Sequence, residues 1–135
     1  EMCIRDSLRP GAEIDDPTAY FSPAVLTDLP VGSEPYYEEF FGPVAEVYKV
    51  SSVEEAVELA NNSYQGLGGA VFSEDVEKAT QVADQIDTGM IHVNLGQYFS
   101  AILPFGGVKR SGFGRELSVF ALDEFVNKQY RYIND

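Results

Sequence analysis

The chain has 135 residues, 44% of them apolar, and its 22 acidic against 9 basic residues give a net charge of −13. That size and hydrophobicity suit one domain, or part of one, and exclude a disordered chain. The negative charge repels phosphate backbones and anionic lipid headgroups, so nucleic acid and membranes are not expected partners. No run reaches the roughly 20 apolar residues of a bilayer span, and the first residues lack a basic then apolar leader, so a cytoplasmic protein is expected.

Residues 20–27 read as an extended segment interrupted by Pro23, followed by a turn-rich stretch through Pro30, Gly32 and Pro35. Residues 44–50 are β-rich. Ser51 and Ser52, each with a glutamate three residues on, offer overlapping capping boxes for a helix whose stripe is Val53, Ala56, Val57 and Ala60. After the Gly66 to Gly69 break comes a short strand over 70–72, and Ser73 caps a second helix burying Val76, Ala79, Val82, Ala83 and Ile86. Gly89 ends it, and Met90 to Val93 is a buried strand. The alternation predicts an α/β fold with a mainly parallel sheet.

A third helix is predicted over 115–124, and a final strand over 125–133 with Val126, Lys128, Tyr130 and Tyr132 on one face. A long aromatic-rich terminal strand leaves an open ladder of donors and acceptors unless it pairs. It is either an edge of the chain's own sheet, protected by Lys128 and Arg131, or a strand that joins another subunit.

Residues 103–116 carry Gly106, Gly107, Gly112, Gly114 and Pro104 among aromatic and charged side chains, a composition shaped for tight turns and close backbone approach. Gly112-Phe-Gly114 is followed by Leu117 where a dinucleotide fingerprint needs glycine, and no phosphate-cradling Gly-x-x-x-x-Gly-Lys-Ser/Thr run exists. A shaped loop bearing Phe105 remains, or a plain glycine-rich connector. Glu39 and Phe41, ahead of Gly42-Pro43, pair a carboxylate that can accept from a vicinal diol with a ring that can support a flat heterocycle. Glu38 and Glu39 can equally be solvated charges. His92, the only histidine, sits in a β-rich run as a structural side chain, and Cys3, the only cysteine, has no partner for a disulfide or a metal. No metal site and no nucleophile triad is expected.

Leu103 to Ser118, with Glu38-Glu-Phe-Phe-Gly-Pro43 before it in the right order and at the right separation, resembles the late signatures of the aldehyde dehydrogenase superfamily. The resemblance runs from about Arg9 to the C-terminus and, with Glu124 to Lys128, is nearest the bacterial succinate-semialdehyde dehydrogenase branch. It implies NAD or NADP as cofactor, Glu39 on the nicotinamide ribose hydroxyls and Phe41 at the nicotinamide ring. It implies Phe99 and Phe105 as walls of the aldehyde pocket, and Ser100 as a contact for the far end of the substrate. A carboxylate held there also needs a cation, which Lys109 and Arg110, beyond the glycine turn, do not supply. The last strand matches the family's oligomerisation strand, implying a homo-oligomer.

The nucleophilic cysteine and general-base glutamate of the family lie upstream of the Glu39 motif, so no catalytic residue is assigned, and Cys3 is not that nucleophile. The expectation is therefore a C-terminal fragment, inactive alone: an unmatched leader over 1–8, a partial catalytic domain over 9–124 and an oligomerisation strand over 125–135. The rival is a non-catalytic module that uses its terminal strand for β-augmentation.

Overall fold

A computed structural model describes residues 6–7, as backbone, and 22–135. Cys3 and most of the expected leader over 1–8 lie outside the described residues. The chain divides into two compact units, Glu1–Ser52 and Val53–Asp135.

In the first unit, β1 (Asp6–Ser7) runs antiparallel to β2 (Ala24–Thr27), which pairs in parallel with β3 (Val44–Val47) in the register Ala24↔Val44 to Thr27↔Val47. β3 is shorter than the predicted 44–50, since its ladder ends where β2 ends. Leu26 and Leu29 are the buried apolar residues here. The turn-rich stretch contains a single helical turn that the sequence reading missed, α1 (Glu34–Tyr37). Pro35 lies in its first turn, where a missing N–H costs nothing and a fixed φ favours the helix. Asp28 (φ 56°) and Gly32 (φ 85°) reverse the chain ahead of it. Tyr36 meets Tyr48 edge to face at 5.7 Å, and the Tyr48 hydroxyl donates to Glu46 Oε2 at 2.5 Å.

The second unit starts with α2 (Val53–Asn61), where the capping boxes place it. Val53, Ala56 and Val57 are half-buried, but Ala60 is exposed, because Leu59 and not Ala60 completes the stripe. The two-residue strand β4 (Gln65–Gly66) precedes β5 (Gly68–Val71), then α3 (Val76–Ala83) and β6 (Met90–Val93). β5 and β6 pair in parallel, Gly68↔Met90 to Val71↔Val93, with α3 packed on both. This is a β-α-β crossover, as a parallel pair requires.

Ala79 (1% exposed) and Ala83 (4%) are the buried residues of α3, and their small side chains let the helix close on the strands. Val76, expected on the buried face, is exposed in the first turn of the helix, and Val82 and Ile86 are half-buried. The N-cap is Asp75 and not Ser73: Asp75 Oδ1 accepts from Lys78 N at 3.0 Å, while Ser73 Oγ accepts from Asp75 N at 3.1 Å and shapes the turn before it. β5 starts before the predicted 70–72, and Phe72 lies beyond it, exposed. β6 is half-buried rather than buried, with Ile91 facing outwards.

β7 (Val108–Lys109), inside the glycine-rich block, pairs antiparallel with β4. The predicted helix over 115–124 is replaced by a 3-10 helix, Val119–Phe125. Glu116 is taken by a β-bridge to Phe105, and Leu117 (φ 57°) and Ser118 (φ 53°) leave the right-handed region, so a helix cannot start earlier. Phe125 belongs to that 3-10 helix, and residues 126–135 pair with no strand among the described residues. The strand predicted over 125–133 is thus not a strand among the described residues. The whole is α/β, with its longest pairings parallel, arranged as small separate sheets.

Candidate functional site

Glu39 and Phe41 sit on the turn that leads from α1 into β3. α1 stops at Glu38, whose extended backbone donates to Pro35 O at 3.3 Å. Two successive tight turns follow, Gly42 N to Phe40 O and Val44 N to Gly42 O, both at 2.8 Å. Pro43 then accepts from Ala24 N at 2.9 Å, which ties the turn to the start of β2. The ring of Phe41 is 94% exposed and the carboxylate of Glu39 is exposed. A phenyl ring presented so fully from a backbone held this tightly offers a flat apolar face, beside a carboxylate with both oxygens open to a donor pair.

Phe99, Ser100 and Phe105 are brought together in the second unit. β6 ends at Asn94 (φ 54°), whose N–H donates to Val71 O at 2.8 Å. Its side-chain amide accepts from Ser73 N and donates to Ser73 O, each at 2.8 Å, so Asn94 continues the ladder for one rung after the strand has ended. The loop beyond it carries Phe99, 60% exposed, whose ring lies 5.5 Å from that of half-buried Phe105 with the planes tilted by 35°. Ser100 follows Phe99, half-buried, with its carbonyl accepting from Leu103 N at 3.2 Å and its Oγ accepting weakly from Ile102 N at 3.4 Å. The hydroxyl oxygen thus acts as an acceptor inside the loop.

Phe105 is anchored by two backbone bonds to Glu116, at 2.8 and 2.7 Å. The glycines after it are needed for packing. A Cβ at Gly106 would meet Gly114 O at 2.6 Å, and one at Gly107 would meet Ser111 Cβ at 2.6 Å. Arg115 closes the block by donating from Nη1 to Gly107 O (2.9 Å) and Gly114 O (2.6 Å), while its backbone N–H reaches Glu124 Oε1 at 3.3 Å. A cavity of about 220 Å³ lies in this block, lined among others by Phe105, Ser111, Phe113, Arg115, Glu116 and Glu124. Ser111 is spent on structure, accepting from Gly66 N at 2.9 Å and donating to Gln65 Oε1 at 3.2 Å.

The two cations near the block are also engaged. Lys109 Nζ lies 3.5 Å from Asp87 and donates to Asn61 O at 3.0 Å, and the Arg110 guanidinium stacks 4.3 Å from the Tyr64 ring centroid. Both cations thus have partners beside the glycine-rich block. His92 sits in β6 opposite Ala70. Among the described residues no group of three or more His, Cys, Asp or Glu side chains is arranged to hold a metal, and no helix is long and apolar enough to cross a membrane.

Two features were missed by sequence reasoning. Asn94 was readable, since an asparagine directly after a strand tolerates a left-handed backbone. Leu117 and Ser118 carried no such signal, because neither type favours positive φ.

The model of the aldehyde dehydrogenase family matches residues 6–130. The chain belongs to the aldehyde dehydrogenase family. A succinate-semialdehyde dehydrogenase [NADP(+)] of Deinococcus radiodurans is 49% identical over 133 residues, covering 93% of this chain and 28% of that protein. The crystal structure of a succinic semialdehyde dehydrogenase from Streptococcus pyogenes in complex with NADP+ superposes with a TM-score of 0.88 at 46% identity, over 96% of this chain and 29% of that one. A betaine aldehyde dehydrogenase double mutant from Staphylococcus aureus, in complex with NAD+, gives a TM-score of 0.76 at 42% identity over 78% of this chain and 21% of that one. The chain therefore spans between 21% and 29% of the length of these aldehyde dehydrogenases. The family and the α/β class expected from the motifs are both borne out.

Proposed function

We propose that this chain supplies one wall of the active site of an NAD(P)-dependent aldehyde dehydrogenase whose substrate is an aldehyde with a distal carboxylate, succinate semialdehyde. The observation that carries the reading is the Phe99–Phe105 ring pair at 5.5 Å with half-buried Ser100 on the same loop. Two aromatic faces suit the short methylene chain of the substrate, and one hydroxyl proton suits its far end. Such a carboxylate site also takes a cation, and the reading assigns that role to neither Lys109 nor Arg110, which lie beyond the glycine turn.

On this reading Glu39 holds the nicotinamide ribose through its two hydroxyls, and Phe41 supports the nicotinamide ring. When bound, the nicotinamide supplies the hydride acceptor for aldehyde oxidation. Fixing ribose and ring from one rigid turn limits the orientations in which the cofactor meets the aldehyde. The nucleophile is not among the residues assigned here, so the chain alone turns over no aldehyde.

The exposed residues Val126, Tyr130, Tyr132 and Ile133 support a terminal segment that pairs with a second subunit, making the enzyme a homo-oligomer.

The test compares succinate semialdehyde with butanal on the full-length enzyme that carries this chain, following reduced nicotinamide. The reading expects a clear preference for succinate semialdehyde that Ser100→Ala reduces. Similar kcat/KM for both aldehydes, or an unchanged ratio in Ser100→Ala, refutes the carboxylate site.

A further inference from the structure

The loop from residue 95 to Phe105 contains no helix or strand, yet it carries both Phe99 and Ser100. It is held at three places. Asn94 fixes its start through Ser73 and Val71, and the Phe105–Glu116 bridge fixes its end. The third tie falls in the middle, where Ser118 N–H donates to Ala101 O at 2.9 Å, one residue after Ser100.

That middle tie depends on an unusual backbone. Leu117 has φ 57°, and Ser118 has φ 53° and ψ −173°, two consecutive positive values at residues that carry a Cβ. Such conformations are strained and persist only where the surrounding structure over-determines them. The surroundings do so here. Glu116 completes its pairing with Phe105, and the reversed backbone then presents the Ser118 N–H to Ala101. The Ser118 hydroxyl next accepts from Phe120 N at 3.3 Å and opens the 3-10 helix. The bond from this turn fixes the Ala101 carbonyl, and with it the backbone beside Ser100.

We infer that the Leu117–Ser118 turn is a positioning element for substrate specificity, in which the Ser118 backbone N–H holds Ala101 and so sets Ser100 against the far end of the aldehyde. This rests on the proposed role of Ser100 as the carboxylate contact. The Ser118 hydroxyl opens the 3-10 helix and does not make the bond to Ala101. The effect therefore belongs to the backbone conformation and follows any change that releases it.

Two variants of the full-length enzyme separate these contributions. Ser118→Val keeps the N–H, but a β-branched residue opposes a positive φ and so releases the turn, whereas Ser118→Gly adopts the same backbone without strain and loses only the side chain. In Ser118→Val, amide hydrogen exchange over residues 99–103 rises, and KM for succinate semialdehyde rises about tenfold with kcat nearly unchanged. KM for butanal, which has no carboxylate to place, stays at the parent value. Ser118→Gly behaves as the parent in exchange and kinetics. Unchanged exchange over 99–103 in Ser118→Val overturns the inference, as does a rise in KM common to both aldehydes, or an equal response of Ser118→Gly. A parent enzyme without preference for succinate semialdehyde refutes the Ser100 reading and the specificity role with it, while the exchange measurement still decides whether Ser118 holds the loop.

Discussion

Gly89 and Gly68 are both glycines at the β5–β6 pair, yet adding one methyl group to each should have very different effects. A Cβ at Gly89 would run into the Gly106 carbonyl oxygen and would lie 2.8 Å from both the Gly106 carbonyl carbon and the Gly107 Cα. These are backbone atoms, so no side chain can swing away. Restoring carbon contacts to about 3.5 Å requires a displacement of roughly 0.7 Å or more between the start of β6 and the glycine-rich block. Overpacking of this kind costs about 1–3 kcal/mol. The shift also strains the bonds Gly89 N to Gly66 O (3.0 Å) and Met90 N to Leu67 O (3.1 Å), each worth about 1 kcal/mol. Gly89→Ala is therefore expected to destabilise by about 3–5 kcal/mol. At Gly68 the nearest atom to a new Cβ is Met90 Cε at 3.6 Å, an ordinary contact, so Gly68→Ala should change stability by less than about 1 kcal/mol. Urea unfolding of both variants in the full-length protein gives the comparison. Because Phe105 directly precedes Gly106, any Gly89→Ala protein that folds should also lose aldehyde turnover. A Gly89→Ala protein within about 0.5 kcal/mol of the parent would refute the packing argument.

Asp75→Ala removes the side chain that caps α3 at Lys78 N and should destabilise by about 1 kcal/mol, whereas Ser73→Ala should cost less; thermal melts of the two variants check the assignment of the cap. The Tyr48 hydroxyl is pushed well above its usual range by burial and by its hydrogen bond to, and the charge of, Glu46. Its folded pKa lies above the unfolded value of about 10, so this contribution is complete below that pH and is lost as pH rises through it towards the folded value. Tyr48→Phe should accordingly flatten the fall in stability above about pH 10, measured by denaturant titration at several pH values, and an unchanged slope would contradict the coupling.

Local signals predicted the elements whose partners lie near them in sequence. The capping boxes at Ser51 and Ser52 located α2, and the small apolar residues of α3 marked the face that closes on β5 and β6. α1 was hidden because Pro35 and Gly32 read as turn residues, although proline is at home in the first turn of a helix. The late start of the helical segment, at Val119 in place of 115, goes with the Glu116 bridge to Phe105 and the hydrogen bond from Ser118 to Ala101, long-range ties that no local propensity encodes. The terminal segment is written as a strand by its β-branched and aromatic residues, but a strand exists only with a partner, and no described strand of this chain provides one. The candidate site was legible as motifs. What the motifs could not show was that Lys109 and Arg110 are occupied, or that Asn94 and Ser118 hold the loop bearing Ser100.

The central claim, that Glu39 and Phe41 hold a nicotinamide cofactor, is tested most directly by steady-state kinetics of Glu39→Gln in the full-length enzyme. Gln keeps the shape and removes the charge, so hydrogen bonds from the ribose hydroxyls weaken while the aldehyde pocket is untouched. The account predicts a fall of about tenfold or more in kcat/KM for the cofactor, with KM for succinate semialdehyde unchanged. Cofactor affinity and turnover both equal to those of the parent would contradict it and return Glu39 to the role of a solvated surface charge.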